Sequence, residues 1–140
     1  MKVILDTNVW VSAWLWAGLP AKIVMLNRSR SITIYASQAL LNEIEGTLRK
    51  EKFRDKIRQL QSSVEEIVLK TQRQVELCPT ISIEVPQLRD RNDTIVLAAA
   101  VAAQAEVVVT GDRDLLVLNP FSDISILTPQ GFLDIYFPNL

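Results

Sequence analysis

Six acidic side chains stand at places where a folded chain can gather them: Asp6, Glu43, Asp90, Asp93, Asp112 and Asp114. The chain has no histidine and a single cysteine, Cys78. Those two facts remove the commonest general base, the usual zinc ligands and every His-dependent nucleophilic triad. Carboxylates are left to do the chemistry. Carboxylates about 5 Å apart repel by roughly 3 kcal/mol per pair at an effective dielectric of 20, so several at one place need a counter-cation. Oxygen ligands without His or Cys suit Mg²⁺ or Mn²⁺, which keep bound waters and accept phosphate oxygens. The expected reaction is hydrolysis of a phosphodiester or phosphomonoester. Taken singly, each acid also has a plain structural explanation. Asp at a strand-to-helix junction is commonly an N-cap, worth roughly 0.5–2 kcal/mol. A glutamate on a helix is usually solvated, and helical angle does not separate Glu43 from Glu45, because both flank the same apolar stripe.

The elements that would position these acids alternate between two periods. Val3-Ile4-Leu5 is apolar throughout and reads as a strand buried on both faces. Asp6, Thr7 or Asn8 can cap the apolar segment Val9 to Trp16, and Gly18-Leu19-Pro20 separates it from a second helical pattern, Ala21 to Arg28. Ile32 to Ala36 reads as the second strand, with Ser37 as N-cap of a helix carrying Leu40, Leu41, Ile44 and Leu48. A helical insertion follows from Arg49 to Val75, broken by Ser62-Ser63. Cys78 to Pro86 reads as an irregular connection or a poor edge strand. Asp93 opens the most apolar helix, Ile95 to Ala103, ahead of a strand at Val107 to Thr110. A short apolar segment from Leu115 to Leu118, a strand from Ile124 to Leu127 and a helix from Phe132 to Phe137 complete the chain.

This order predicts a three-layer α/β/α sandwich around a central, mainly parallel sheet, with its ligand crevice at the carboxyl ends of the strands. Asp6 and Asp112 both follow strands, so both are expected at that edge, and the loop before Asp93 crosses it. The length of 140 residues fits one domain spanning 1–140. The hydrophobic share of 49% and charged share of 22% are those of an ordinary globular protein. Fifteen basic against sixteen acidic residues leave a net charge of -1, so any polyanion binding must be local. The lone cysteine, the absence of a secretory pattern and the lack of an apolar run of roughly 18 residues lead us to expect a cytoplasmic protein with no membrane association.

Four stretches resemble the PIN-domain family. They are Leu5-Asp6-Thr7-Asn8; Ser37 to Ile44 with its late glutamate; Asp90-Arg91-Asn92-Asp93 with Leu97 to Ala100; and Val109 to Leu116. No one of them is decisive, but four in order are fairly specific. The resemblance spans nearly the whole chain. It is strongest to the small prokaryotic single-domain members grouped as toxins of toxin-antitoxin pairs. It implies a metal-dependent endoribonuclease with an antitoxin protein as partner. Asp6, Glu43, Asp93 and Asp112 then take the family's acidic positions. Asp90 and Asp114 become auxiliary acids for a second ion, and Asn8 and Thr110 orient ligands. The chain departs from many relatives in having Arg91 in place of proline and Asn92 in place of a further acid. That leaves one ion and two ions as open alternatives.

Two other readings compete. Haloacid-dehalogenase-like phosphatases also place an aspartate after the first strand and a Gly-Asp pair after a later one. They need a second aspartate two residues after the nucleophile, where this chain has Asn8. A non-catalytic module could keep the PIN fold and use its acids for structure or docking. For the substrate, Arg49, Lys50, Lys52 and Arg54 are candidate RNA contacts in a locally basic segment, with solvated and paired charges as the equal alternative. Trp10 and Trp14 share a helix face and are assigned to core or a subunit interface, which makes a homodimer or higher homo-oligomer the expectation.

Overall fold

Parallel strands buried on both faces need a continuous apolar run, and Val3, Ile4 and Leu5 have no exposed surface at all. In the computed structural model, which describes residues 1–140, they form β1 (Lys2–Leu5), the middle strand of a five-stranded sheet ordered β3-β2-β1-β4-β5. The others are β2 (Thr33–Ser37), β3 (Glu76–Cys78), β4 (Val107–Val109) and β5 (Ser125–Leu127). Every pairing is parallel, with Val3 opposite both Ile34 and Val107. The expected α/β/α sandwich is observed, and its sheet is wholly rather than mainly parallel.

Eight helices connect the strands: α1 (Thr7–Trp16), α2 (Gly18–Arg28), α3 (Gln38–Leu48), α4 (Arg54–Gln59), α5 (Val64–Gln74), α6 (Arg91–Ala103), α7 (Arg113–Leu116) and α8 (Pro129–Tyr136). Right-handed crossovers on this strand order put α1 to α5 on one face of the sheet and α6 and α7 on the other. α1 packs on α2 and α3, while α6 lies across β1, β2 and β4. Its buried alanines, Ala98, Ala99, Ala100 and Ala103, allow a close approach. No single helix is long and apolar enough to cross a membrane. Thirty-six buried residues form one hydrophobic cluster, within which Trp10 stacks on Trp14 at 6.2 Å between centroids. The Lys70 ammonium also lies over the Trp14 ring, at 5.8 Å from its centroid.

The boundaries differ from expectation where capping decides them. The break between the first two helices falls at Ala17 (φ 59°), and α2 starts at Gly18, with Pro20 in its first turn where a missing N–H costs nothing. Ser37 and Ser63 cap α3 and α5 through bonds from Leu40 N and Glu66 N, both 3.1 Å. The edge strand lies at Glu76–Cys78, before the proline-bearing stretch instead of within it. The final helix begins three residues earlier than its apolar pattern, because Thr128 caps it through Gly131 N.

A polar link ties the α2 end of the fold together. Asn27 accepts from Ile34 N at 2.8 Å and donates to Gln74 O at 2.6 Å, joining α2, β2 and α5. Replacing it with alanine strands a backbone donor and a backbone acceptor, each costing about 1–3 kcal/mol when buried. Asn27→Ala is therefore expected to lower the urea midpoint with an unchanged m-value. A midpoint within error of the native chain would show that the link carries no stability.

Candidate active site

The register of the sheet brings the first two acids together. Leu5 pairs with Val109, so the residues that leave the two strands, Asp6 and Thr110, emerge side by side. Asp6 N donates to Val109 O at 3.0 Å. The Thr110 hydroxyl accepts from Asp112 N at 2.9 Å and donates to Asp6 Oδ2 at 2.6 Å. Because a backbone N–H occupies one side of that hydroxyl, its own proton points at the carboxylate. Asp6 holds the N-cap position of α1 by backbone angle, yet its side chain makes no cap hydrogen bond. The plain structural role is therefore not the one it performs.

Asp93 departs from the sequence expectation in an informative way. It does not open α6: Asp90 is the cap, accepting from Asn92 N at 2.9 Å. Asp93 lies in the first turn, 4% exposed, and its Oδ2 has no hydrogen-bond partner. Asp112 caps α7 by accepting from Asp114 N at 2.9 Å. Carboxylate oxygens of Asp93, Asp112 and Asp114 all lie within 4.8 Å of one another, and Asp6 is not part of that tight trio. Asp6 lies instead on the adjoining cleft of about 130 Å³, which it shares with Glu43, Asp90, Asp93 and Asp112. Thr7, Asn8, Thr47, Lys50 and Asn92 complete the lining, and no hydrophobic residue contributes. Asp93 and Asp112 are common to both sets. A separate cavity of about 210 Å³ between the start of α3, residues 80–83 and α6 is lined by hydroxyls, apolar groups and Arg91, and contains no acid.

Residues 2–114 match the family model described as PIN domain, an interval that holds every acid named above. The chain belongs to the PIN-domain family. No curated protein matches this PIN domain. Among solved structures it is similar to VapBC2 from Rickettsia felis bound to a DNA fragment from their promoter, at 15% identity and a TM-score of 0.60, covering 90% of this chain and 97% of that one. It is also similar to VapBC-1 from nontypeable Haemophilus influenzae, at 17% identity and a TM-score of 0.54, covering 93% and 99%. At such identities the likeness is one of fold.

Of the acids anticipated in this PIN domain, Asp6, Glu43, Asp90, Asp93 and Asp112 share the cleft and Asp114 joins it through the trio. Asn8 lines the cleft, and Thr110 holds Asp6 from behind. Glu43 lines the cleft, whereas Glu45 pairs with Arg49 at 3.1 Å and does not line it. Thr7 and Thr47 were not anticipated. Thr7 Oγ1 is buried without a partner, and Thr47 follows Glu43 by one helical turn, the only trace of it in the sequence.

A cleft with five carboxylates, no imidazole or thiolate, and an orphaned, buried carboxylate oxygen fits a hard divalent cation. The electrostatics of the metal-free PIN domain agree. Burial raises the Asp6 carboxyl above its ordinary range, against the Thr110 and Thr7 hydrogen bonds, with the charges of Asp112 and Asp90 adding to the rise. Asp93 is pushed up to about 7, first by burial, then by a side-chain hydrogen bond with Asp112 and by the charges of Asp112, Asp6 and Asp90. The folded chain thus holds a proton that the unfolded chain releases near pH 4. Stability falls as pH rises from about 4 to about 7 and is level above that window. In EDTA, Asp93→Asn is expected to melt at the same temperature as the native chain near pH 4 and about 5 °C or more above it at pH 7.5. A gap that does not widen with pH would mean that Asp93 is not under this repulsion.

Proposed function

We propose that this PIN domain is a Mg²⁺- or Mn²⁺-dependent endoribonuclease acting as the toxin of a toxin-antitoxin pair. The observation that carries the reading is the unpartnered Asp93 oxygen in a cleft lined only by polar groups, beside Asp112. In this reading Asp6, Asp93 and Asp112 would hold the cation, with Asp90 and Asp114 as outer acids and Glu43 lining the same cleft. The bound ion supplies Lewis acidity that lowers the pKa of a water and polarises the scissile phosphate.

The protein groups then divide the remaining work. Thr110 fixes the orientation of Asp6, a support that in metal sites is worth about 10–100-fold. Glu43 makes no ion pair and is free to accept the proton of the attacking water. Asn8 and Thr47 offer an amide and a hydroxyl to phosphate oxygens in the same cleft. Family membership and the fold shared with the two VapBC structures support the toxin reading and an antitoxin partner. The half-exposed Trp16, packed edge-on against Phe53 at 5.9 Å, offers an apolar surface for that partner or for a homodimer. We place the working protein in the cytoplasm, where RNA and a reduced Cys78 coexist. Asn8 stands where a phosphatase of the haloacid-dehalogenase type needs its general acid, so that alternative has no support in the cleft.

The expected result is cleavage of a labelled RNA with Mn²⁺ or Mg²⁺ that EDTA abolishes. Asp6→Asn and Asp112→Asn should reduce the rate more than about 100-fold, and Thr110→Val by about 10–100-fold. Cleavage at native rates in the two Asp variants would sink the proposed site. Tight metal binding by calorimetry with no cleavage of any RNA would favour the non-catalytic module instead.

A further inference from the structure

Lys50 belongs to two surfaces. Glu43, Thr47 and Lys50 follow one another at helical spacing along α3 and past its end, and all three line the acidic cleft, where Lys50 is the only cation. Lys50 also lines a wider groove of about 500 Å³ with Arg49, Arg54 and Arg58, and no acid lines that groove. Lys50 is therefore the one residue common to the groove and the carboxylate cleft.

The cations of this segment are not equivalent. Arg49 is consumed by Glu45 at 3.1 Å and Glu65 at 3.4 Å, a pair of contacts that ties the end of α3 to the start of α5 and forms one wall. Lys52 lies over the Phe53 ring at 5.1 Å and does not line the groove. Lys50 and Arg54 make no ion pair, and Arg58 has only a long, exposed contact with Asp55 at 3.8 Å. A row of three available cations thus leads away from the acids.

A polynucleotide matches that sequence of charges. Its phosphates are evenly spaced, so one can occupy the acidic cleft with its cation while its neighbours meet Lys50, Arg54 and Arg58. An acidic peptide would satisfy the same row, but its own continuation would bring further carboxylates toward Asp6, Asp93 and Asp112. The cleft of about 130 Å³ is small beside the groove of about 500 Å³, so only a short part of such a chain enters it. We propose that Lys50, Arg54 and Arg58 are the track for the single-stranded RNA that flanks the cut phosphate. Substrates must then extend past the scissile bond on this side to be cut efficiently. The inference rests on the nuclease reading above and assigns the substrate's path through it.

The test is fluorescence anisotropy with a labelled, fully 2′-O-methylated oligoribonucleotide of about 12 nucleotides in Ca²⁺, titrated at several salt concentrations. Each lost phosphate contact on a single strand lowers the salt slope by about 0.7, so Arg54→Ala/Arg58→Ala should lower it by about 1.4 and weaken binding about 10-fold. Arg28→Ala/Arg73→Ala, at the far ends of α2 and α5, should leave both unchanged. In cleavage assays the Arg54/Arg58 variant should raise KM on the long RNA and leave a trinucleotide unaffected, whereas Lys50→Ala should impair both and Lys50→Arg restore part of the loss. If RNA is cut in an Asp6-dependent way but the Arg54/Arg58 variant binds and cuts like the native chain, the track is wrong and the nuclease stands. If no RNA is cut yet binding and salt slope fall as stated, the nuclease reading fails, and the three cations stand as an RNA-binding row without a cut phosphate to flank. Equal competition by a poly-glutamate peptide, weakened equally by the same variant, would overturn the RNA assignment in favour of an acidic protein segment.

Discussion

Two carboxyl groups held close, Asp93 buried and Asp112 half-buried, set the terms for the whole molecule. Asp93 and Asp112 repel one another, and burial of Asp93 removes the water that would screen them. The backbone cannot relieve this by moving apart, because each acid is fixed by a different rigid element. Asp112 is held by the Thr110 hydroxyl and by its own role as cap of α7. Asp93 is carried by α6, whose apolar length is buried against β1, β2, β3 and β4. The repulsion is thus stored by packing, and either a shared proton or a cation can offset it.

The parallel sheet is what makes that arrangement available. Because all five strands run the same way, their carboxyl ends open at one edge, and β1 and β4 are neighbours in register there. The link from Thr110 to Asp6 spans 104 residues of sequence but only one strand spacing. Carboxylates from four separate stretches meet in this way. Asn27 plays a comparable part at α2 by satisfying backbone groups of β2 and α5 with one side chain. Such buried amides substitute for hydrogen bonds that short strands cannot supply themselves.

Charge on the surface is organised around the same edge. The chain is almost neutral overall, yet a carboxylate cleft and a cationic groove meet at Lys50. Arg49, the most conspicuous cation of the segment by sequence position, serves to brace α3 against α5. Net charge is therefore a poor guide to this protein's partners, and the local pairing pattern a better one.

Much of the fold was legible in the residues. Apolar runs such as Val107-Val108-Val109 and the heptad-like spacing of Leu40, Leu41, Ile44 and Leu48 are local signals, and they determined the alternation of strand and helix and hence the α/β class. Composition alone excluded histidine chemistry and a cysteine-based zinc cage, and pointed to carboxylates with a hard cation. What the residues could not state was which acid caps and which is orphaned. Asp90 and Asp93 are three apart and equally suited to begin α6, and only the packing of α6 on the sheet sends Asp93 inward. Likewise the assignment of Glu43 to the cleft and Glu45 to Arg49 needed the position of α5 and the groove wall. Periodicity is a property of neighbours along the chain and is written in the sequence. Whether a carboxylate meets a hydroxyl, an arginine or another carboxylate depends on elements distant in sequence, and tertiary structure alone decided it.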